Sequence, residues 1–172
     1  QTVLDEFRRL ELIVDSSLTL GGAATINPAP TQIAATISEV AELLRPSFSH
    51  RNIELETHID PLPLVAIDAD RIKQVLLNLI NNAADELSAG GRISISAFAG
   101  NDAHLHISIA DSGPGLPNAE PVSSKPLGLG LGLRISREIV ERHGGELRHN
   151  RSRELGGAEF TVRLPLTNET NH

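Results

Sequence analysis

The chain lacks cysteine, methionine, tryptophan and tyrosine, and its only large aromatic residues are four phenylalanines among 172 residues. Without cysteine it can have no disulfide, no thiolate nucleophile and no zinc–thiolate site. It also has no apolar run near the roughly 20 residues that a membrane-spanning helix needs, and no signal peptide. Hydrophobic residues still make up 40% of the sequence. The core must therefore be built from aliphatic side chains.

Positive charge is also scarce, because 15 lysines and arginines face 22 acidic residues, for a formal net charge of −7. This balance argues against general nucleic-acid binding, which requires a basic surface. An anion such as ATP would have to be held by local backbone donors or by a metal. The absence of methionine at position 1 leads us to expect a processed or excised fragment of a longer protein.

Apolar periodicity predicts four helices, of which the first has the narrow stripe of a coiled-coil or bundle helix. Gly21-Gly22 ends this first helix, and the prolines of residues 23–30 predict a linker after it. Asp68 or Asp70 is a plausible N-cap for the third helix. The predicted helices cover residues 1–20, 31–50, 69–87 and about 130–143.

Segments of alternating apolar residues predict strands, and the pair 93–99 and 104–110 predicts a hairpin. The glycine-, proline- and serine-rich residues 111–130 show no periodicity and predict a long loop. This order of elements predicts an α+β fold, with helices over one face of a mostly antiparallel sheet. The predicted strands cover residues 52–59, 93–99, 104–110, 145–150 and 158–165, with a short extended piece at 61–67.

The third helix carries an unusual polar stripe in the stretch NLINNAADEL, which begins at Asn78. Asparagine inside a helix costs roughly half a kcal/mol relative to alanine. Asn78, Asn82 and Asp85 nevertheless share one face, at i, i+4 and i+7. A merely solvated face would favour Lys, Glu or Arg, whereas short amide and carboxylate oxygens suit Mg²⁺ or an ordered water. The stripe therefore favours a functional role over a solvated face.

Two glycine-containing segments complete the candidate chemistry. In DSGPG, Asp111 ends a strand and could accept a hydrogen bond from an exocyclic amine such as that of adenine, although the same residues also make ordinary turns. In GLGLGL, residues 128–133, glycines open a helix whose free N–H groups could cradle phosphate. This segment is neither a Walker A loop nor a dinucleotide fingerprint. The alternative is a flexible loop entering a helix.

In this order the motifs resemble the ATP-binding catalytic domain of bacterial sensor histidine kinases, a Bergerat-fold family. DADRIKQVLLNLINNAADEL is similar to its N box, DSGPGLP to its G1 box, GLGLGLRISREIVERHGGEL to its G2 box and GGAEFTVRLP to its G3 strand. The resemblance implies a Bergerat-fold α/β sandwich with a mixed, mostly antiparallel sheet, preceded by one long helix. Its implied domains are the second helix of a dimerisation bundle (1–22), a linker (23–30), the ATP-binding domain (31–166) and a polar tail (167–172).

The resemblance also assigns roles to residues. Asn82 matches the Mg²⁺-binding asparagine, and Asn78 matches a position near the γ-phosphate where related ATPases place a glutamate base. Asp111 matches the aspartate that reads adenine. Asn78 and Lys125, from SSKP, are the implied catalytic residues. The remaining implied nucleotide contacts are Asp85 on the third helix, Gly113 and Gly115, which would shape the adenine pocket, and the phosphate-cradling residues Gly128, Gly130, Leu131, Gly132 and Leu133.

The sequence departs from the family pattern in several places. Asp85 replaces a lysine found in many kinases, and Ala158 replaces the G3 threonine. The phenylalanine-rich F box is reduced to EPVSSKP, and the segment between Gly115 and Gly128 predicts a short ATP lid. None of the seven histidines precedes an acidic residue or lies in residues 1–20. We therefore expect the phosphoacceptor histidine to lie outside this chain.

The implied function is an ATP-binding kinase domain that uses Mg²⁺ and transfers the γ-phosphoryl group to a histidine, for relay to the receiver domain of a response regulator. The implied setting is a cytoplasmic domain, dimeric through the bundle in the full-length protein, with no nucleic-acid partner and no membrane contact of its own; a membrane anchor elsewhere is left open. The alternatives are a non-catalytic ATP-sensing module and an anti-sigma-type serine kinase. His104 and His106 share a strand face and could hold a metal, but a polar sheet face is the favoured interpretation.

Overall fold

The computed structural model describes residues 25–115 and 130–166. The predicted bundle helix, the polar tail, Lys125 and Gly128 lie outside these residues. Within the described part the chain forms three helices and seven strands. They are β1 (Ala29–Thr31), α1 (Ile33–His50), β2 (Ile53–Ile59), β3 (Val65–Ile67), α2 (Ala69–Asp85), β4 (Gly91–Ala99), β5 (His104–Asp111), α3 (Leu131–Arg142), β6 (Glu146–Arg151) and β7 (Ala158–Pro165).

Five of the strands form one mixed sheet in the order β2-β4-β5-β7-β6. Only β2 and β4 run parallel, and the other neighbours are antiparallel. The predicted hairpin is confirmed as β4 and β5, in which Ile93 pairs with Asp111 and Ala99 with Leu105. The α+β class with a mostly antiparallel sheet is therefore confirmed.

The core lies between the helices and one face of this sheet. Alternate residues of β4, β5 and β7 point inward, as strand geometry requires, and their aliphatic side chains are buried. The predicted apolar faces of the second and third helices are buried too, and they gain Phe48 on α1 and Ala84 on α2. None of the helices in the described residues is both long and apolar enough to cross a bilayer.

Helix α2 is held at its start by Asp68, one of the two predicted N-cap candidates, and Asp70 lies in the first turn. The Asp68 carboxylate accepts the N–H of Arg71 at 3.2 Å and that of Asn27 at 3.0 Å. Burial opposes ionisation here, but these donors outweigh it and lower the pKa of Asp68. The backbone N–H of Asp68 donates to His143 Nε2 at 3.0 Å. The beginning of α2 is thereby tied to the end of α3.

Some element boundaries differ from those predicted. Helix α2 ends at Asp85 rather than at Leu87, and α1 begins at Ile33. Strand β1 begins at Ala29, inside the segment predicted as a linker, and pairs with β3 from Ala29↔Ile67 to Thr31↔Val65. The prolines led to the prediction of a linker. Proline is nevertheless tolerated in short edge strands such as this one. Ordered pairing with the rest of the domain therefore starts before residue 31.

Candidate nucleotide site

Asp111 ends strand β5 and is only 2% exposed. Its Oδ1 accepts two backbone N–H groups, from Gly113 at 2.9 Å and from Ala158 at 3.2 Å. Its own backbone carbonyl accepts the N–H of Gly157 at 3.0 Å. The carboxylate is thus fixed from both sides, by the turn that follows β5 and by the start of β7.

The environment of Asp111 raises its pKa. Burial, which disfavours the charged form, is the largest cause, and the N–H donors of Gly113 and Ala158 only partly offset it. Within residues 25–115 and 130–166, the second carboxylate oxygen, Oδ2, accepts no hydrogen bond. A buried carboxylate with one oxygen held and the other unused can accept a hydrogen bond from a ligand amine.

Glycines surround this carboxylate because no side chain would fit there. A Cβ on Gly157 would collide with Asp111 Oδ1 and with the Asp111 carbonyl, and a Cβ on Gly113 would lie 3.0 Å from Oδ1. Gly113 also lies against Glu86, whose Cβ would be 3.3 Å away. Gly115 has φ +81°, in the left-handed region that favours glycine. The Asp111 turn is therefore packed against the C-terminal end of α2.

Helix α2, whose C-terminal end packs against the Asp111 turn, carries the predicted polar stripe. Asn78 and Asn82 are half-buried, while Asp85 is exposed. At 1.5 Å per residue, about 12 Å of helix separates Asn78 from Glu86 at the Asp111 end. Asn82 lies one helical turn from Asn78, between the two ends. The stripe thus joins the Asp111 turn to the beginning of α3.

Asn78 contacts the N-terminal part of α3 directly. Its Nδ2 donates to Ser136 Oγ at 2.8 Å, and a Cβ on Gly132 would collide with its carboxamide. Gly130 is the N-cap of α3 with φ +64°, and Leu131 is the first helical residue. The first N–H groups of a helix have no partner within the helix. Within the part of the chain that the structure describes, the first-turn N–H groups of α3, which lack partners inside the helix, and the positive end of the helix dipole thus lie beside an asparagine.

The structure brings most of the predicted site residues together. Asp111, Gly113 and Gly115 lie near the C-terminal end of α2, and Asn78, near the middle of α2, lies against Gly132 in the first turn of α3, next to Gly130 and Leu133 in the chain. Lys125 and Gly128 lie outside the described residues.

Three contributors were not predicted: Gly157 and the Ala158 N–H beside Asp111, and Ser136 beside Asn78. The doubled glycine before β7 and a serine on the apolar stripe of α3 were the available signals.

His104 and His106 occupy the opposite, open face of the sheet. His106 Nε2 lies 3.0 Å from Asp102 Oδ1, and Arg163 Nη2 lies 2.9 Å from Asp102 Oδ2. His104 Nδ1 lies 2.6 Å from the Asp102 carbonyl and 3.2 Å from Arg163 Nη2. Both histidines are thus engaged in a polar network. Residues 25–115 and 130–166 contain no group of three His, Asp or Glu side chains placed to hold a metal.

Comparison with known families gives a match over residues 67–168 to the model described as histidine kinase-, DNA gyrase B- and HSP90-like ATPase. The matched range contains the whole polar stripe of α2, Asp111 and the beginning of α3. It covers more than half of the chain.

Curated relatives include the adaptive-response sensory kinase SasA of Synechococcus sp. (strain CC9902), 36% identical over 153 residues, which cover 81% of this chain and 40% of SasA. Sporulation kinase E of Bacillus subtilis (strain 168) is 28% identical over 172 residues, which cover 95% of this chain and 23% of that kinase. The chain thus spans two fifths or less of the length of these two relatives.

Solved structures with the same fold include full-length ShkA in complex with AMPPNP, with a TM-score of 0.75 and 27% identity over 90% of this chain and 34% of ShkA. A second is the histidine kinase ThkA in complex with the response regulator TrrA, with a TM-score of 0.78 and 31% identity over 98% of this chain and 50% of ThkA. The expected α/β fold of a histidine kinase catalytic domain is therefore confirmed.

Proposed function

The chain belongs to the histidine kinase-, DNA gyrase B- and HSP90-like ATPase family, and from that premise we propose that it is the ATP-binding kinase domain of a sensor histidine kinase. The observation that carries the proposal is the pairing of two sites along α2. A buried carboxylate with one unused oxygen lies near the C-terminal end of α2, and the glycine-containing N-terminus of α3 lies against Asn78, near the middle of the same helix. This separation suits a ligand with an amine at one end and phosphates at the other.

ATP fits the residues that are present. Asp111 would accept the exocyclic amine of adenine through Oδ2, since Oδ1 is held by backbone donors. Gly113 and Gly157 approach this carboxylate so closely that a Cβ on either residue would press against it and disturb its position. The first N–H groups of α3 would donate to the phosphates. Lys125 and Gly128 are proposed to join the phosphate end, on the strength of the sequence motifs.

The α2 stripe fits a hydrated Mg²⁺ accompanying the phosphates. The carboxamide oxygen of Asn82 is a ligand of the type that Mg²⁺ accepts, usually together with waters and phosphate oxygens. Mg²⁺, when bound, would neutralise charge on the phosphates. Asp85 lies one turn or less from Asn82 and would add negative potential beside the cation.

In the proposed chemistry, Asn78 favours phosphoryl transfer over hydrolysis of ATP. A carboxamide cannot take a proton from water as the glutamate of related ATPases can, so this site is suited to positioning phosphates rather than to hydrolysis. The chain would orient the γ-phosphoryl group through Asn78 and the α3 N–H groups, and catalysis would rest on positioning and electrostatics. The acceptor would be a histidine on a dimerisation bundle, whose second helix we assign to residues 1–22.

The partner that follows is the receiver domain of a response regulator, to which the phosphoryl group would be relayed. ThkA, which resembles this chain, has been crystallised with such a regulator. We further propose dimerisation through the bundle in the full-length protein and a cytoplasmic location for this domain. Residues 23–28 would connect the bundle helix to the domain.

The test is phosphoryl transfer from γ-labelled ATP, with Mg²⁺, to a separately expressed bundle carrying a histidine. We expect label on the bundle that is lost in acid and kept in base, as a phosphohistidine behaves, and less label with Asn82→Ala. Acid-stable label on a partner would instead identify a serine kinase. Nucleotide binding with no transfer to any bundle would identify an ATP-sensing module. Either of these results would overturn the proposal.

A further inference from the structure

The buried stripe of α3 contains a serine where an apolar residue would be expected. Ile135, Ile139 and Val140 pack into the core, and Ser136 shares their side of the helix with 1% of its surface exposed. Burying a hydroxyl group costs free energy unless the group is hydrogen-bonded. The position of Ser136 therefore has to be explained by its partner.

That partner is the carboxamide of Asn78, reached across the interface between α2 and α3. Asn78 Nδ2 donates to Ser136 Oγ at 2.8 Å, between residues separated by 58 positions in the chain. Gly132, one turn before Ser136 on α3, lies so close to the same carboxamide that a Cβ there would collide with it. Asn78 is thus confined between the hydroxyl of Ser136 and the first turn of α3.

We propose that Ser136 is a positioning residue for phosphoryl transfer, which holds the Asn78 carboxamide against the first turn of α3 at the phosphate end of the site. This inference rests on the proposed function. An asparagine with a free side chain would populate several rotamers, and ATP binding would have to select one of them. The Ser136 hydroxyl fixes that choice before the nucleotide arrives.

A purely structural role for Ser136 has a different consequence. If the hydrogen bond only fastened α2 to α3, its loss would weaken the domain without distinguishing one nucleotide from another. Positioning of Asn78 near the γ-phosphate affects ATP but not ADP, which has no γ-phosphate. The ratio of the two affinities therefore separates the roles.

The experiment measures the affinities of ATP and ADP, each with Mg²⁺, by calorimetry for the parent chain and for Ser136→Ala, Ser136→Thr, Asn78→Ala and the double variant Ser136→Ala/Asn78→Ala. Ser108→Ala is the matched control. Its hydroxyl is also nearly buried, at 8% residue exposure, and lies 3.0 Å from Thr161 Oγ1 on the open face of the sheet. Thermal unfolding of every variant checks that each one is folded at the temperature of the titration.

We expect Ser136→Ala to weaken ATP binding about five- to tenfold, the effect of one side-chain hydrogen bond, and to change ADP binding less than about twofold. Ser136→Thr, which keeps the hydroxyl, should restore ATP binding. The double variant should bind ATP no more weakly than Asn78→Ala, because Ser136 acts through Asn78.

Equal losses of ATP and ADP affinity, no loss of either, or additive effects in the double variant would overturn the positioning role while leaving the proposed function intact. Failure of the parent chain to bind either nucleotide would overturn both. Should Ser136→Ala be unfolded, Ser136→Thr alone decides, because a folded threonine variant that loses ATP affinity selectively would contradict the role assigned to the hydroxyl.

Discussion

Two aspartates flank strand β5, and their surroundings differ in every respect that matters for ligand binding. Asp111 is the last residue of the strand and is buried under the helices. Asp102 lies two residues before the strand, with 40% of its side chain exposed on the open face of the sheet. The aspartate side chain is thus buried at one of these positions and exposed to solvent at the other.

The hydrogen-bond donors to the two carboxylates are also of different kinds. From residues 25–115 and 130–166, Asp111 receives only neutral backbone N–H groups, on one oxygen. Asp102 receives Arg163 Nε at 3.0 Å on Oδ2, and His106 Nε2 lies 3.0 Å from Oδ1. Both oxygens of Asp102 are engaged by side chains, whereas Oδ2 of Asp111 has no hydrogen-bond donor among the described residues.

The two pKa values consequently move in opposite directions. Burial raises the pKa of Asp111. The hydrogen bond with His106, assisted by Arg163 and only partly offset by desolvation, holds the pKa of Asp102 far below its usual range. The charged form of Asp111 is thus less stable in the folded protein than that of Asp102, which fits the proposed role of Asp111 because binding sites retain unfavourable electrostatics.

The largest effect on nucleotide binding and stability is expected from adding a side chain beside Asp111. Gly157→Ala places a Cβ against the Asp111 carboxylate and carbonyl. We expect nucleotide binding to be lost and the free energy of unfolding to fall by about 1–3 kcal/mol, as for other overpacked positions. Chemical denaturation and calorimetry measure the two effects.

Gly156→Ala is the matched control for this variant. Gly156 has nothing within 4 Å of an added Cβ, although its φ of +85° is strained for alanine. A small loss of stability with nucleotide binding retained is expected. Equal loss of binding in both variants would show that the turn, rather than the space beside Asp111, determines the site.

The next effect concerns the stability of the nucleotide-free protein. Because the folded pKa of Asp111 is raised, its ionisation destabilises the folded state above that pKa, and the penalty disappears as the pH falls through it. Asp111→Asn should therefore be more stable than the parent chain at pH 7, and the difference should shrink in acid. Thermal unfolding from pH 7 to pH 4 measures this trend; a less stable variant at pH 7 would contradict it.

The smallest effect is expected at Asp102, and its sign is opposite. A carboxylate with a lowered folded pKa contributes stability that is present above its unfolded pKa, near 3.8, and is lost as the pH falls through the folded pKa. Asp102→Asn should therefore be slightly less stable than the parent chain at pH 7, and the two should converge below about pH 4. Comparison of the two unfolding profiles tests this; a variant as stable as the parent chain at pH 7 would show that the network around Asp102 contributes nothing.

The sequence predicts a structural feature well when the residues that form it lie close together along the chain, and poorly when they lie far apart. The apolar faces of α1 and α2 and the β4–β5 hairpin follow from local periodicity and were predicted, and Asp68 was one of the two predicted caps of α2. Asp111 and its following glycines were recognised as a local motif. The Ala158 N–H donor lies 47 residues away and becomes its neighbour only through the β5–β7 pairing.

The same limit, the distance along the chain between contacting residues, applies to the contact between α2 and α3. The asparagines of α2 were recognised because they oppose helix propensity. The Ser136 hydroxyl could not be assigned to Asn78, because the contact depends on how α2 and α3 pack. Strand β1 was missed for a local reason, since its three residues are too short to show alternation and contain a proline.

The central claim is that the unused oxygen of Asp111 is kept for the nucleotide. The most direct measurement is the affinity of the chain for ATP with Mg²⁺ in Asp111→Asn and in its matched control, Asp102→Asn, each compared with the parent chain by calorimetry. We predict that the affinity falls at least about a hundredfold in Asp111→Asn, because an amide can present a donor where the ligand amine needs an acceptor, and stays within about twofold in Asp102→Asn. Unchanged affinity in Asp111→Asn, or an equal loss in both variants, would contradict the account.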